Sequence, residues 1–431
     1  MISGSFERKQ AYILINHAEE IINYLKEFVF VEGDDISLIP EESNTIVEPK
    51  IINGVEVPKF INEYWTSRQR QSSSIHEISY RACFKAQLPR FFIKLLTERG
   101  DTVYDPFSGR GTTIVEAAIL GRGVISNDIN PLSRIISRPR LSVPEVSDIV
   151  SRLESIVVDK TAAADIDLSM FYHPETEAEI VSLRSYLIER AETETEDEVD
   201  SWIRMVATNR LTGHSPGFFS VYTLPPNQAV SQESQVKINS KRNQKPDYRD
   251  TKKIIIRKTN TLLKRLSTVE SANLRDAAKS ALFIGKDARE TNEIDDNVVS
   301  LTITSPPFLD VVQYSQDNWL RCWFNGINTD EIEKKITMSK KVDEWTAVME
   351  KVFKELNRIT KPGGWVAFEV GEVKKGKINL EDYVIPLGLK AGFKCIGVII
   401  NLQEFTKTSN IWGINNNKSG TNSNRIALFQ K

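Results

Sequence analysis

The stretch VYDPFSGRGTT, residues 103–113, decides the fold. Val103 and Tyr104 lead into Asp105, a turn carries Gly109 and Gly111, and an amphipathic helical pattern then runs over 113–120 and stops at Gly121. The two glycines lack a Cβ, so the backbone there can take positive φ, turn sharply and come close to a ligand. A short strand is expected over 102–104 and another over 123–126, ending on Asn127 and Asp128, which makes one βαβ unit. Such a junction admits two readings, a structural tight turn and a ligand-binding loop. Three features favour the loop. Asp105, at the strand end, suits a hydrogen bond from a ligand amine. The third glycine of GxGxxG and the lysine of a phosphate-binding loop are both missing. Asp128 ends the next strand about 20 residues on, where an acidic side chain suits paired ribose hydroxyls. The ligand implied has a ribose and an ammonium but no pyrophosphate.

Outward from this unit, a helical pattern precedes it and stops at Gly100. Residues 1–80 read as an extension of helix (10–29) and loop, the loop marked by Pro40, Pro49 and Pro58. Beyond the unit, residues 132–280 show mainly helical periodicity, an acidic run over 189–200, a polar stretch over 213–244 and a basic segment. Strand-like runs return at 281–285, 298–304, 365–370, 397–402 and 425–429, with a helix over 343–359. Strands alternating with helices predict an α/β fold with a mostly parallel, doubly wound sheet. The expected organisation is one catalytic domain, 81–131 with 281–431, carrying a largely helical inserted subdomain at 132–280.

The composition is compatible with this. At 431 residues, 26% charged and 40% hydrophobic with a net charge of −2, the chain has length for two or three domains or one large domain with an insertion. Cys83, Cys322 and Cys395 form no CxxC pair and there are four histidines, which argues against a zinc site and for a reducing compartment. No metal is expected. No apolar run reaches the roughly 18–20 residues of a membrane span, and MISGSFERKQAYILINHAEE does not read as a signal peptide, so the cytoplasm is the expected location.

A second motif carries chemistry. TSPPF, residues 304–308, follows an apolar strand; Pro306 and Pro307 fix φ and remove two donors, holding the neighbouring carbonyls in set directions. A double proline is also a common loop stiffener. Here it is bracketed by the Ser305 hydroxyl and the Phe308 ring, a combination suited to an exocyclic amino group. Ser305 and the Pro306 carbonyl would accept its hydrogens while Phe308 stacks on the base. Because such an amine is a poor nucleophile, catalysis would rest on in-line positioning and on hydrogen bonds that strengthen as the nitrogen gains charge. Asp310, Gln313 and Tyr314 are candidates for the base pocket. The segment KPGGWVAFEVGE, 361–372, reads as scaffold.

DPFSGRGTT resembles the first motif, DPFxGxGTT, of the S-adenosylmethionine-dependent amino-methyltransferases that modify DNA. FKAQLPRFFIKLL, residues 84–96, resembles the FxxP-type helix of that family, departing from it in having Lys85 and Ala86 between Phe84 and Gln87. IGKDAR, 284–289, resembles the third motif and TSPPF the fourth. The resemblance implies a Rossmann-like methyltransferase sheet and S-adenosylmethionine as cofactor. It further implies that Phe84, Asp105, Phe107, Gly109, Gly111, Thr112, Asp128, Ile129, Asp287 and Ala288 hold that cofactor and that Ser305, Pro306, Pro307 and Phe308 form the catalytic motif. Serine at the head of the fourth motif is commoner in cytosine-N4 than in adenine-N6 enzymes, so the resemblance points to cytosine-N4 in DNA. Adenine-N6, RNA cytidine-N4 and a catalytically silent nucleic-acid-binding module stay open. Carbon-5 chemistry is excluded by its need for a cysteine, usually after proline; these cysteines follow Ala82, Arg321 and Lys394. A companion restriction endonuclease is a further expectation, and the sequence leaves the oligomeric state open.

The basic segment, 236–265, holds eleven Lys or Arg against Asp247 and Asp250. A solvated helix face is one reading. DNA contact by Lys241, Arg242, Lys245, Arg249, Lys252, Lys253 and Arg257 is the other, with aromatics of 210–228 able to fill the place of an extruded base.

Overall fold

The computed structural model describes residues 18–29, 45–65, 73–81, 83–225, 228–307, 314–335, 341–373, 378–402 and 423–431. Short apolar runs form the strands at its centre: β1 (Ile46–Ile52), β2 (Val55–Asn62), β3 (Thr102–Asp105), β4 (Gly123–Asn127), β5 (Leu282–Ile284), β6 (Val299–Thr304), β7 (Thr360–Val370), β8 (Glu372–Val373), β9 (Ile378–Asn379), β10 (Lys394–Leu402) and β11 (Ser423–Gln430). Nine of them make one sheet in the order β1-β2-β10-β11-β7-β6-β3-β4-β5, while β8 and β9 pair separately. The run from β7 through β6, β3 and β4 to β5 is parallel; β11 is antiparallel to both β7 and β10. The doubly wound α/β sheet expected from the sequence is therefore present, as a mixed sheet.

Side chains alternate across it with the two-residue period of a strand. Val103, Leu301, Ile303, Ala367 and Leu428 enter one core, whereas Tyr104, Val366, Phe368, Ala427 and Phe429 enter the other. The first core is covered by the helices Gln87–Leu96 and Thr112–Ile119, and the second by Val342–Ile359 and Glu381–Lys390. In Gln87–Leu96 the buried Leu88, Phe91, Phe92, Leu95 and Leu96 recur at helical spacing, which is why that face lies on the sheet.

Between β4 and β5 the described residues fold into helices, among them Pro131–Ser137, Pro174–Glu192, Glu198–Arg210, Thr251–Leu263 and Thr268–Ser280. Trp202, Val206, Ile255 and Leu262 share one continuous apolar core with Val103 and Ile114, so these helices are not separately cored. Thr268–Ser280 lies against Thr112–Ile119, with Asn273 donating to the Ile119 carbonyl at 2.8 Å, and is the crossover into β5. The acidic run is used locally: Asp197 caps Glu198–Arg210, and Asp200 pairs with Arg152 and Arg190.

One expectation is corrected. Part of the stretch read as loop on account of its prolines is the β1–β2 hairpin, with Pro49 opposite Pro58. Proline costs a ladder donor only where one is needed. β1 is the edge of the sheet, and Pro58 stands one residue before the ladder that β2 makes with β10 from Lys59. Of the helix expected over 10–29, Ala18–Lys26 lies in the described part. No helix among the described residues is long and apolar enough to cross a membrane.

Candidate active site

The strand order reverses between β3 and β6, and open α/β sheets take ligands in the crevice at the carboxyl ends of strands flanking such a reversal. Both sequence motifs end there. Thr304, the last residue of β6, donates its hydroxyl to Asp105 Oδ1 at 2.7 Å, joining positions 199 residues apart. Asp105 is buried and also accepts the Phe107 N–H at 3.1 Å. Loss of hydration outweighs these bonds and pushes its carboxyl up to about 7.

The turn after β3 is held by its own polar groups. Ser108 donates to the Asp105 carbonyl at 2.9 Å and accepts from Ser126 at 2.9 Å. Asn127 bonds the Lys286 carbonyl and N–H, both at 3.0 Å, so the loops after β3, β4 and β5 form one frame. Asp128 accepts the Gly109 N–H at 2.7 Å and the Asn130 N–H at 2.9 Å; desolvation nevertheless raises it to about 6. Gly109 has φ +47°, and a Cβ there would meet nothing nearer than Tyr80 Cε1 at 3.8 Å, so its face is open to a ligand. Gly111 differs from expectation. At φ +72° its Cβ would stand 2.4 Å from Ser137 Cβ, so the close approach that requires this glycine is that of helix Pro131–Ser137.

The remaining expected cofactor residues surround this frame. Thr112 is buried at the start of helix Thr112–Ile119. Phe107 packs against the second core, to which buried Ala288 belongs, and Ile129 is half-buried next to Asp128 in the chain. Asp287 is held below the usual carboxylate range by Arg289, whose side chain and N–H both bond to it. The Phe84 carbonyl accepts from Arg110 at 3.1 Å, which ties the preceding segment to the turn.

Ser305 follows β6 and is half-buried. The Trp345 indole donates to the Pro307 carbonyl at 2.9 Å, whereas the carbonyl of buried Pro306 has no donor among the described residues. Phe308, Asp310 and Gln313 lie outside the described residues; Tyr314 opens the helix Tyr314–Phe324. The segment read as scaffold supplies a residue that sequence reasoning missed. Glu369 of β7 is buried, bonded by the Ser305 hydroxyl and by Asn424, and burial raises it to about 7. The signal was in the sequence, since one acid inside the apolar run WVAFEV must be desolvated if the strand is central.

The basic segment is partly spent on structure. Arg249 donates to the Ser215, Phe218 and Ser220 carbonyls, Arg242 lies over the Tyr222 ring at 3.8 Å, Lys252 donates to the Ile156 carbonyl and Lys253 pairs with Asp250. Lys241, Lys245 and Arg257 are exposed. Of the aromatics expected near an extruded base, Phe218 and Phe219 are buried. Among the described residues no cluster of three His, Cys, Asp or Glu is arranged for a metal ion.

Comparison with known proteins matches part of the chain. Residues 12–136 match the family described as DNA methylase. Over 104 residues the chain is 36% identical to the type II methyltransferase M.BsoBI of Geobacillus stearothermophilus, covering 23% of this chain and 20% of that protein. Over 94 residues it is 31% identical to M.MjaII of Methanocaldococcus jannaschii, covering 22% and 17%. The chain thus spans about a fifth of the length of the curated relatives it matches. A solved DNA modification methylase of Thermus thermophilus in complex with S-adenosyl-L-methionine aligns at a TM-score of 0.20 and 20% identity, over 34% of this chain and 53% of that one. Across residues 12–136, which include Asp105, both glycines and Asp128, the chain is therefore similar to the DNA methylases.

Proposed function

We propose that the protein transfers a methyl group from S-adenosylmethionine to the exocyclic amino group of a base in DNA, and that the base is cytosine, methylated at N4. The observation that carries this reading is the bond from Thr304 to Asp105, which sets Ser305 beside the carboxylate-lined turn at the reversal of the sheet. The residues fit the cofactor. Asp105 and Asp128 are carboxyls deprived of water, with capacity to accept from an ammonium and from ribose hydroxyls, and the face over Gly109 has room. When bound, the cofactor supplies the electrophilic methyl group.

The chain's own residues handle the acceptor. Ser305 donates its hydroxyl to Glu369, which leaves the Ser305 oxygen to accept one amino hydrogen; the Pro306 carbonyl accepts the other. This pairing aims the nitrogen lone pair and holds the base in line. As the new N–C bond forms, the nitrogen must shed a proton, and Glu369, behind Ser305 and ionised above about pH 7, takes it through the serine. Lys241, Lys245 and Arg257 present positive charge to the DNA backbone. A companion endonuclease with the same target sequence belongs to this proposal.

Incubation with methyl-labelled cofactor and genomic DNA, digestion to nucleosides and mass analysis is the test. N4-methyldeoxycytidine is the expected product, absent with Ser305→Ala. N6-methyldeoxyadenosine would replace the cytosine assignment, and label entering RNA in preference to DNA would replace the substrate.

A further inference from the structure

Beside the turn, but outside the site just described, lies a cavity of about 470 Å³. It opens where the segment before helix Gln87–Leu96 meets the helices between β4 and β5, and none of Asp105, Gly109, Asp128, Asp287 or Ser305 lines it. Its charge is one-sided. Lys85, Arg110, Arg210 and Lys258 line it against the single carboxylate of exposed Glu77, which pairs with Lys258 at 3.6 Å. Arg210 is buried and stacked at 3.9 Å over Phe218; among the described residues it is hydrogen-bonded only to Asn209 and makes no ion pair. The Glu77 carboxylate acts on it through space only. Burial holds Lys258 at about 8 and Arg210 at about 10, so both cations are short of hydration, and the Glu77 carboxylate is shared between them.

Ser73 and His76 also line the cavity, and among the described residues their buried Oγ and Nδ1 atoms have no hydrogen-bond partner. His76 is buried and its Nε2 lies 2.7 Å from Glu116 Oε2, so in the neutral ring Nε2 carries the proton and Nδ1 is left as an acceptor. The wall thus asks for an anion and a hydrogen-bond donor on one ligand. A volume near 470 Å³ falls within the range of about 300–1,000 Å³ typical of pockets that enclose a small organic group.

We propose that this cavity takes one nucleotide of the substrate strand, its phosphate against Arg210 and Lys258 and a base N–H on His76 Nδ1. This rests on the reading of the protein as a DNA enzyme and adds a second contact with the strand, away from the reacting base. The cations come from both sides of a seam, so occupation also locks the helices carrying Arg210 and Lys258 onto the turn through Arg110.

The test is binding of a short fluorescent DNA duplex to the full chain without cofactor, read by anisotropy over a salt series, for Arg210→Gln and Lys258→Gln. Each variant should bind about tenfold more weakly at low salt and lower the slope of log affinity on log salt by about one, the change expected for one lost phosphate contact. Lys258→Arg should restore both, and S-adenosylmethionine affinity by calorimetry should be unchanged. Wild-type affinity and slope in Lys258→Gln would overturn the proposal, and this half-buried position decides the matter if Arg210→Gln does not fold. A loss confined to cofactor binding would also overturn it, by assigning the cavity to the cofactor. Deoxycytidine monophosphate binding as tightly as the duplex would overturn it too, by making the cavity a free-nucleotide site. Because binding is read without methyl transfer, failure of the methylation assay leaves this result standing, and failure here leaves that assay standing.

Discussion

Two glycines two positions apart do different work. Substituting Gly109 with alanine meets no atom closer than 3.8 Å and carries only the strain of a left-handed side chain, about 1–2 kcal/mol, so the protein should fold and lose cofactor affinity. Alanine at Gly111 places Cβ 2.4 Å from Ser137 Cβ, an atom fixed to the backbone, and the expected loss is about 3 kcal/mol or more. Thermal unfolding with cofactor calorimetry separates them, and equal destabilisation by the two would refute the division. Glu369→Gln tests the third residue. In the wild type, turnover should rise with pH and level off above about 7, as the carboxylate form fills. The glutamine variant should lose about 10²-fold or more of turnover together with that pH limb, while cofactor affinity stays. A variant that keeps the limb would remove Glu369 from proton transfer.

At the scale of elements, legibility followed the physics of each signal. β3, β4, β6 and the buried part of β7 stand in the sequence as short apolar runs bounded by Gly, Asn or Asp, because a strand covered on both faces has no other composition available. The Asp105 turn was legible for the same local reason. The β1–β2 hairpin was not, since prolines argue for loop unless the strand is known to be an edge, and edges are a property of the assembled sheet. Charge counting was likewise blind to what Arg249 does within the fold. Three backbone carbonyls that it satisfies belong to residues 215–220 and carry no mark in composition. Glu369 meets Ser305 because β7 pairs with β6, Thr304 lying opposite Phe368, a register that no motif spells out.

Over the whole molecule, three carboxyls with raised pKa crowd the proposed crevice: Asp105 and Glu369 at about 7 and Asp128 at about 6. Each is near 4 in the unfolded chain, so each contributes stability that is complete below about pH 4 and is lost as pH rises through 6 to 7. A cationic ligand favours the carboxylate forms and reverses that loss. S-adenosylmethionine should therefore raise Tm more near pH 8 than near pH 5, and its binding near pH 6.5 should release protons, seen as a dependence of calorimetric heat on buffer ionisation enthalpy. No buffer dependence would show that these carboxyls do not face the cofactor. The bond from Thr304 to Asp105 also bears on how the chain is made. Asp105 leaves the ribosome 199 residues before its partner, and at about 5–20 residues per second that is an interval of roughly ten seconds or more. Until β6 arrives, β3 has an open edge and a carboxyl it cannot bury, so the nascent chain is exposed to proteases and chaperones throughout synthesis of the intervening helices.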